Sequence, residues 1–356
     1  MSVQHLIDLN DITQDELQDV IRLAGKIKAN PEEYAHACDG KLMATLFYEP
    51  STRTQMSFKS AMLRLGGQVL GFDNPDNASV SKGETIADTV RVVSGYTDIV
   101  VMRTPIEGAP LASTFYSRVP VINAGDGGHL HPTQTLTDLT TLTYEKGRLE
   151  NLTIGMCGDM KNGRTVHSLI RALAPMHNNK FIFISTKELQ LPQYAIDFLN
   201  EHNCEFEFVT DLESVMPKLD VLYMTRIQKE RFASIEQYEA QKGVFVLDAQ
   251  KMAKGKPDLL VLHPLPRVDE ITTDVDVDRR ASYFKQTEYG MYARMALILT
   301  LLKKSTKLET IIPPKSCTGK CTNPKCIMQH ERALPQQIYQ KEGKAVCLYC
   351  DSPIKK

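Results

Sequence analysis

The sequence predicts an α/β protein built of two doubly wound parallel-sheet domains and a small C-terminal zinc-binding domain. Three observations carry this expectation. Short apolar runs alternate with helical patterns twice over, once before and once after the stretch near residue 135. Many of those runs are apolar throughout rather than at every second residue, which suits strands buried on both faces of a parallel sheet. Five of the eight cysteines (Cys317, Cys321, Cys326, Cys347 and Cys350) crowd into the C-terminal end of the chain, a density that an α/β core does not need.

The elements follow in order. Thr13 and Glu16 form a capping-box pattern, and Leu17, Val20, Ile21, Ala24 and Ile27 mark one helical face behind it. Lys41–Tyr48 reads as a buried strand that ends at Pro50. A helix is expected from Thr54 to Leu65, stopped by Gly66 and Gly67. Val69–Phe72, Asp98–Met102 and Pro120–Asn123 are strands, with a helix over Thr85–Val93. Pro132–Glu145 is a helix with proline well placed at its start.

The second series has strands at Thr153–Cys157, Phe181–Ile184, Glu205–Val209, Val221–Met224, Val244–Leu247 and Leu259–Leu262. Its helices are expected at Thr165–Ala174, Gln193–Asn200 and Glu236–Gln241, and a last long helix over Glu288–Lys303. The implied domains are 1–135, completed by the helix in 288–305, then 136–287, a linker over 306–316, and 317–356.

Composition sets limits on function. The 356 residues hold 42 basic and 43 acidic side chains, a net charge of −1. That excludes a strongly basic nucleic-acid-coating protein and implies no nucleic-acid partner. No apolar run reaches the ~18 residues a membrane span needs, and Met1–Asn10 lacks a signal-peptide pattern, so the cytoplasm is the expected location. The dinucleotide glycine fingerprint and the P-loop are both missing.

Polar groups recur where strands end. Ser51, Thr52, Arg53 and Thr54 follow a buried strand and open a helix, an arrangement of hydroxyls, a guanidinium and free N–H groups that suits an anion. A helix cap with a surface arginine is the alternative. Arg103 stands just past a strand, and His131 and Gln134 flank the start of a helix. Arg164 lies between a strand and a helix, Arg226 and Gln228 follow another strand, and His263–Arg267 follows the last. Singly each reads as a solvated arginine or a satisfied histidine. Jointly they favour one cleft for compact anionic ligands beyond the strand ends. Asn74–Glu84, with Ser79, Ser81 and Lys82, reads either as a lid or as a plain surface loop.

In the tail, Cys321-x4-Cys326 and Cys347-x2-Cys350 are close pairs around a short insert, the spacing of a tetrahedral four-thiolate zinc site. A segment this short builds too small a core alone, and a metal supplies what is missing. Cys317-x3-Cys321 is also a workable pair, so Cys317 remains an alternative ligand. Four thiolates leave no open position for catalysis, and no organic cofactor is expected.

Taken together, Ser51–Thr54, Lys82–Thr85, His131–Gln134, Gly163–Thr165, Thr225–Arg231 and His263–Arg267 resemble, in order, the motifs of the aspartate carbamoyltransferase catalytic chain over about residues 5–305. The tail, including Asn323–Ile327, resembles the zinc domain of that family's regulatory chain, without the nucleotide-binding domain that normally precedes it. The resemblance implies transfer of a carbamoyl group from carbamoyl phosphate to L-aspartate in pyrimidine biosynthesis, with 1–135 holding carbamoyl phosphate and 136–287 holding aspartate. Ornithine carbamoyltransferase shares part of the pattern but is expected to have a cysteine where this chain has Pro264. A non-catalytic zinc-containing scaffold is the reading from a different class.

Carried onto this chain, the resemblance gives Ser51, Thr52, Arg53, Thr54 and Arg103 to the phosphoryl group, and Thr54, Arg103 and His131 to the carbonyl oxygen. Gln134 binds the carbamoyl NH2 with backbone carbonyls near Pro264 and Leu265. Arg164 and Arg226 clamp the aspartate carboxylates, supported by Gln228. Arg53, Thr54, Lys82, Arg103 and His131 form the catalytic set; Lys82 also reaches aspartate. Ser79 is the nearest match to the family's lid serine. The family further implies a homotrimer in which residues 79 and 82 act in the neighbouring subunit's site; the sequence leaves further assembly open.

Overall fold

A computed structural model describes residues 4–227, 232, 234–304, 319–331, 334–341 and 344–355. The chain divides into two units, Met1–Thr133 with Met291–Lys356, and Gln134–Gly290. Gln228, Cys317 and the expected linker 306–316 lie outside the described residues.

In the first unit, Leu42–Phe47 (β1) is buried along almost its whole length. It lies at the middle of a parallel sheet of order β2-β1-β3-β4, with β2 at Gln68–Phe72, β3 at Ile99–Thr104 and β4 at Val121–Asp126. Leu6 adds a single parallel bridge to Ile122. Helix α1 (Gln14–Ala29) has the expected capping box: Thr13 Oγ1 accepts from Glu16 N at 3.2 Å, and Glu16 accepts from Thr13 N at 3.0 Å. Its buried face is Leu17, Val20, Ile21, Ala24 and Ile27, which sets its apolar stripe against the core.

Helices α2 (Thr52–Arg64), α3 (Ile86–Val93) and α4 (Ala109–Thr114) complete this part. Asn74–Glu84 folds as two short 3-10 turns, Pro75–Asn77 and Ser79–Lys82. Helix α5 (Pro132–Lys146) starts in the first unit and continues in the second.

The second unit carries five parallel strands in the order β7-β6-β5-β8-β9. They are Thr153–Cys157 (β5), Lys180–Ile184 (β6), Glu205–Val209 (β7), Val221–Met224 (β8) and Leu260–Leu262 (β9). The helices are α6 (Arg164–Leu173), α7 (Gln193–Glu201), α8 (Ile235–Glu239) and α9 (Ala249–Lys254).

The expected strand Val244–Leu247 is not one. Gly243 takes φ +71°, Val244 is 47% exposed, and only Leu247 bridges, in parallel, to Ile271. Leu247 N donates to Glu270 O at 2.9 Å, and Thr272 N donates to Leu247 O at 3.0 Å. The apolar run therefore reflects burial of Phe245 and Leu247 in the core rather than a ladder.

Helix α10 (Tyr283–Lys304) begins in the second unit and ends in the first. There Arg294 donates to Ser57 Oγ at 3.0 Å and Lys304 pairs with Glu16 at 2.7 Å. The tail forms two small antiparallel pairs: Lys320–Cys321 (β10) with Ile354–Lys355 (β13), and Ile338–Lys341 (β11) with Lys344–Cys347 (β12). Among the described residues its apolar side chains share a core with the rest of the first unit. Ile327, Leu334 and Tyr349 pack in one buried cluster with Leu46, Ile86, Val90, Met102 and Ala112. Gly108 permits this approach, since at φ +80° a Cβ there would lie 2.4 Å from Tyr349 O.

Candidate active site and metal centre

In the first unit the site grows from the carboxyl ends of β1 and β3, which are register neighbours at Phe47 and Arg103. The chain leaves β1 through Glu49 and Pro50 and enters α2 with Ser51 at the N-cap. Among the described residues no side chain caps that helix, so its first-turn N–H groups, with those of Thr52, Arg53 and Thr54 among them, have no side-chain acceptor, the condition under which a helix start can take an anion. Thr54 is buried, while Thr52 and Arg53 are exposed.

Arg103 is held by three neighbours. Its Nη2 pairs with Glu49 at 2.8 Å, Nη1 donates to Ala124 O at 3.2 Å, and Nη1 lies 3.5 Å from His131 Nε2. Its Nε is buried without a hydrogen-bond partner among the described residues. Burial lowers the Arg103 pKa although Glu49 opposes that shift. Partial desolvation of the Arg53 guanidinium, exposed though the residue is overall, and then the charge of Arg103, lower the pKa of Arg53 as well. A guanidinium whose charge is disfavoured by a second one nearby is a group that a bound anion would favour. His131, 6% exposed, stands directly before α5. The structure thus brings Arg103 and His131 together beside the start of α2.

Lys82 and Ser79 are both exposed on the turn before α3. Among the described residues neither makes a hydrogen bond or ion pair to Arg53, Arg103 or His131.

In the second unit, Gln134 Nε2 donates to Asp138 Oδ1 at 2.8 Å. Asp138 also accepts from Gln286 Nε2 at 2.6 Å and from Tyr223 OH at 2.9 Å. The amide orientation leaves Gln134 Oε1 as the acceptor available to a ligand.

Arg164 opens α6 behind a tight loop. Asp159 accepts from Asn162 N at 2.9 Å, and Asp159 N donates to Thr225 Oγ1 at 3.0 Å. His167 Nε2 donates to Met160 O at 2.7 Å, and its Nδ1 accepts from Tyr194 OH at 2.7 Å. Arg226 follows β8 and lines a pocket with Gly158, Thr225, Tyr238, Val268 and Asp269.

Leu265 takes φ +50° before a cis bond to Pro266. Leu265 N donates to His263 Nδ1 at 2.7 Å, and His263 Nε2 donates to Glu270 Oε1 at 2.7 Å. Glu270 Oε2 accepts from Val268 N and Asp269 N, both at 3.1 Å. Burial raises the Glu270 pKa, but the bonds from His263 and the backbone outweigh it and hold the carboxyl below its usual range. The turn that contains Pro264 and Leu265 is therefore pinned at both ends. Arg267 pairs with Asp276, at 2.6 Å through Nη2, and packs on Tyr283.

Glu49, Asp138 and Glu270 are the supporting residues that sequence reading passed over. Asp138 had a signal, being four residues from Gln134 on one helix face; Glu49 and Glu270 had none beyond nearness to a motif.

In the tail, Cys321, Cys326, Cys347 and Cys350 are buried with their Sγ atoms all within 4.8 Å of one another. Cys321 and Cys350 are 3.6 Å apart, and Cys326 and Cys347 3.7 Å. These are not disulfides. The four thiols form a cluster able to hold a metal ion.

Comparison with known proteins places this geometry in a class. Residues 4–144 match the model of the aspartate/ornithine carbamoyltransferase carbamoyl-P binding domain, and residues 150–301 that of the Asp/Orn binding domain. The chain belongs to the aspartate/ornithine carbamoyltransferase family. Within it, the similarity runs to aspartate enzymes. The aspartate carbamoyltransferase catalytic subunit of Clostridium novyi is 58% identical over 84% of this chain and 98% of its own length. That of Lachnoclostridium phytofermentans is also 58% identical, with the same coverage.

Among solved structures, the catalytic subunit of M. jannaschii aspartate transcarbamoylase superposes with a TM-score of 0.80 at 45% identity, over 85% of this chain and 99% of that one. The Trypanosoma cruzi aspartate transcarbamoylase in complex with carbamoyl phosphate and aspartate gives 0.79 at 36% identity, over 84% and 97%. The cysteine cluster lies beyond residue 301, where the family-model matches end.

Proposed function

We propose that this protein transfers the carbamoyl group of carbamoyl phosphate to the α-amine of L-aspartate, yielding N-carbamoyl-L-aspartate and phosphate for pyrimidine biosynthesis. The observation that carries the reading is the largely enclosed Arg103 side chain, braced by Glu49, with His131 beside it and the start of α2 close in the fold. The first-unit set, Ser51–Thr54, Arg103 and His131, takes the donor. The second-unit residues Arg164 and Arg226, with Gln228, take the two aspartate carboxylates, a charge pattern that suits aspartate better than the cationic side chain of ornithine.

The neutral aspartate amine attacks the carbamoyl carbon, forming the C–N bond. Charge grows on the carbonyl oxygen, where Thr54, Arg103 and His131 supply fixed donors and dipoles. The C–O bond to phosphate then breaks, and the electron pair leaves with phosphate, which Arg53, Arg103 and Lys82 hold. The amine proton passes to a phosphate oxygen, so no protein base is needed. Gln134 Oε1, fixed by Asp138, and the carbonyls of Pro264 and Leu265 bind the carbamoyl NH2. Positioning two ionic substrates accounts for much of the remainder.

Lys82 and Ser79 act in the neighbouring subunit of a homotrimer; their exposed position, apart from the other candidates, supports this. Cys321, Cys326, Cys347 and Cys350 would hold a structural Zn2+. A ZnS4 tetrahedron with ~2.3 Å bonds has sulfur–sulfur edges of about 3.8 Å, close to the two observed pairs.

The test is a product assay with carbamoyl phosphate and either L-aspartate or L-ornithine. Carbamoylation of aspartate with stoichiometric phosphate release is expected. Turnover of ornithine instead, or of neither, overturns the assignment. Mixing Lys82→Ala with His131→Ala chains under subunit exchange is expected to restore activity above either alone, because one hybrid site then lacks both lesions.

A further inference from the structure

Nothing in the proposed reaction uses the tail, yet its side chains grip two segments that the reaction does use. Glu107, in the stretch after β3, is held in the first grip. Its Oε1 accepts from Gly128 N at 3.2 Å and its Oε2 from Asn323 Nδ2 at 2.6 Å. Its backbone is clasped as well: Glu107 N donates to Lys325 O, and Ile327 N donates to Glu107 O, both at 2.9 Å. Gly128 belongs to the turn that ends at His131. Asp126 closes that turn from inside, accepting from Leu130 N at 2.9 Å and pairing with His129 at 3.0 Å. The far side of the His129 ring faces Asp351 of the tail at 3.8 Å.

Glu331 makes the second grip. Buried in the tail, its carboxylate accepts from Ile86 N at 2.6 Å, so it caps the first residue of α3, four positions after Lys82.

We propose that the C-terminal subdomain is a positioning device for the carbamoyl-phosphate site, acting through Asn323–Glu107–Gly128 on the turn that carries His131 and through Glu331 on the helix behind Lys82. Asn323 lies between two cysteines of the cluster, so the loop that the cluster closes also fixes the Asn323 amide. Glu107 can accept from Asn323 and Gly128 together because its two oxygens serve different partners. Asn323 and Glu107 are positioning residues: neither is assigned to a substrate. The proposal rests on His131 and Lys82 having the roles given above.

The experiment exchanges the donor–acceptor pair. Asn323→Asp sets two carboxylates face to face, while Glu107→Gln combined with Asn323→Asp restores one donor and one acceptor and leaves an oxygen for Gly128 N. Peptide-level hydrogen exchange and metal content are measured on the full chain, with kinetics alongside. In Asn323→Asp the 126–131 peptide is expected to lose protection with metal retained, and kcat to fall about tenfold with little change in the aspartate KM. The double variant recovers both. Glu331→Ala is expected to deprotect the peptide containing Ile86. Unchanged protection in Asn323→Asp, no recovery in the double variant, or loss of protection only when metal is also lost overturns the proposal. Should the wild type transfer no carbamoyl group, the catalytic reading fails, while the exchange data still decide whether the tail holds these segments.

Discussion

Gln134 donates its side-chain amide to Asp138 Oδ1 at 2.8 Å, one turn further along α5. Asp138 is fully buried and shared with Tyr223 and Gln286. A carboxylate accepts only, so it selects the NH2 end of Gln134 and turns the carbonyl oxygen outward. Gln134→Ala is expected to lower kcat/KM for carbamoyl phosphate about tenfold, the worth of one hydrogen bond to a reacting group. The Kd of inorganic phosphate should not change, because phosphate has no NH2 to offer. Equal weakening of both would show that Gln134 acts on the whole site.

His131 is expected to matter more for turnover than for binding. Its ring lies 3.5 Å from Arg103, where the carbonyl oxygen is proposed to gain charge. For His131→Ala, kcat should drop by about 100-fold, the scale of one lost transition-state donor. Affinity for a phosphonate analogue, read by calorimetry, should fall far less, and parallel losses would remove His131 from this role.

Arg226→Ala should separate the two substrates. Arg226 lines a second-unit pocket, whereas Ser51–Thr54 and Arg103, proposed to hold carbamoyl phosphate, belong to the first unit. The aspartate KM is expected to rise by about 100-fold or more, since hydrogen bonds to charged groups are the costly ones to lose. Carbamoyl phosphate binding should be kept. An unchanged aspartate KM and kcat would exclude Arg226 from the acceptor site.

The pH dependence of stability has a defined contributor at the edge of the first sheet. His5 is buried and accepts from Val121 N through Nδ1 at 3.0 Å. Burial pushes its pKa down to about 4. The unfolded chain therefore binds a proton that the folded one refuses between about pH 6.5 and pH 4. Stability is whole above that window and falls as the pH drops through it, by about 2 kcal/mol between pH 7 and pH 5. Urea denaturation of His5→Gln, which keeps an acceptor for Val121 N, should show a smaller loss over the same interval. An identical loss would clear His5.

The strands β1, β5 and β8 were legible because burial on both faces leaves continuous apolar runs. The α1 capping box was legible because its partners are three residues apart. Leu6 was not, since one bridge leaves no periodicity. Val244–Leu247 misled because apolar burial and strand pairing give the same local pattern. At the site, Arg103, His131 and the cysteine pairs stood out by residue type beside strand ends or by spacing. Their supports did not, because those contacts join distant parts of the chain: Glu331 meets Ile86 across 245 residues and Asn323 meets Glu107 across 216.

Removal of a metal held by the tail's cysteine cluster should be felt well beyond the tail. Four buried thiols within 4.8 Å of one another are held together by the ion when it is bound, and lose that constraint without it. Because Ile327, Leu334 and Tyr349 share a buried cluster with Leu46, Ile86 and Met102, loosening the cysteine loops exposes apolar surface of the first unit too. Cys326→Ala, or chelation followed by dialysis, should therefore lower the calorimetric melting midpoint by roughly 5 °C or more. Re-addition of zinc should restore the chelated protein but not the variant. If chelation strips the ion and the first unit still melts at the wild-type temperature, the shared packing stands without the metal. Zinc would then be idle in folding, leaving the Asn323–Glu107 contact to be judged by its own exchange experiment.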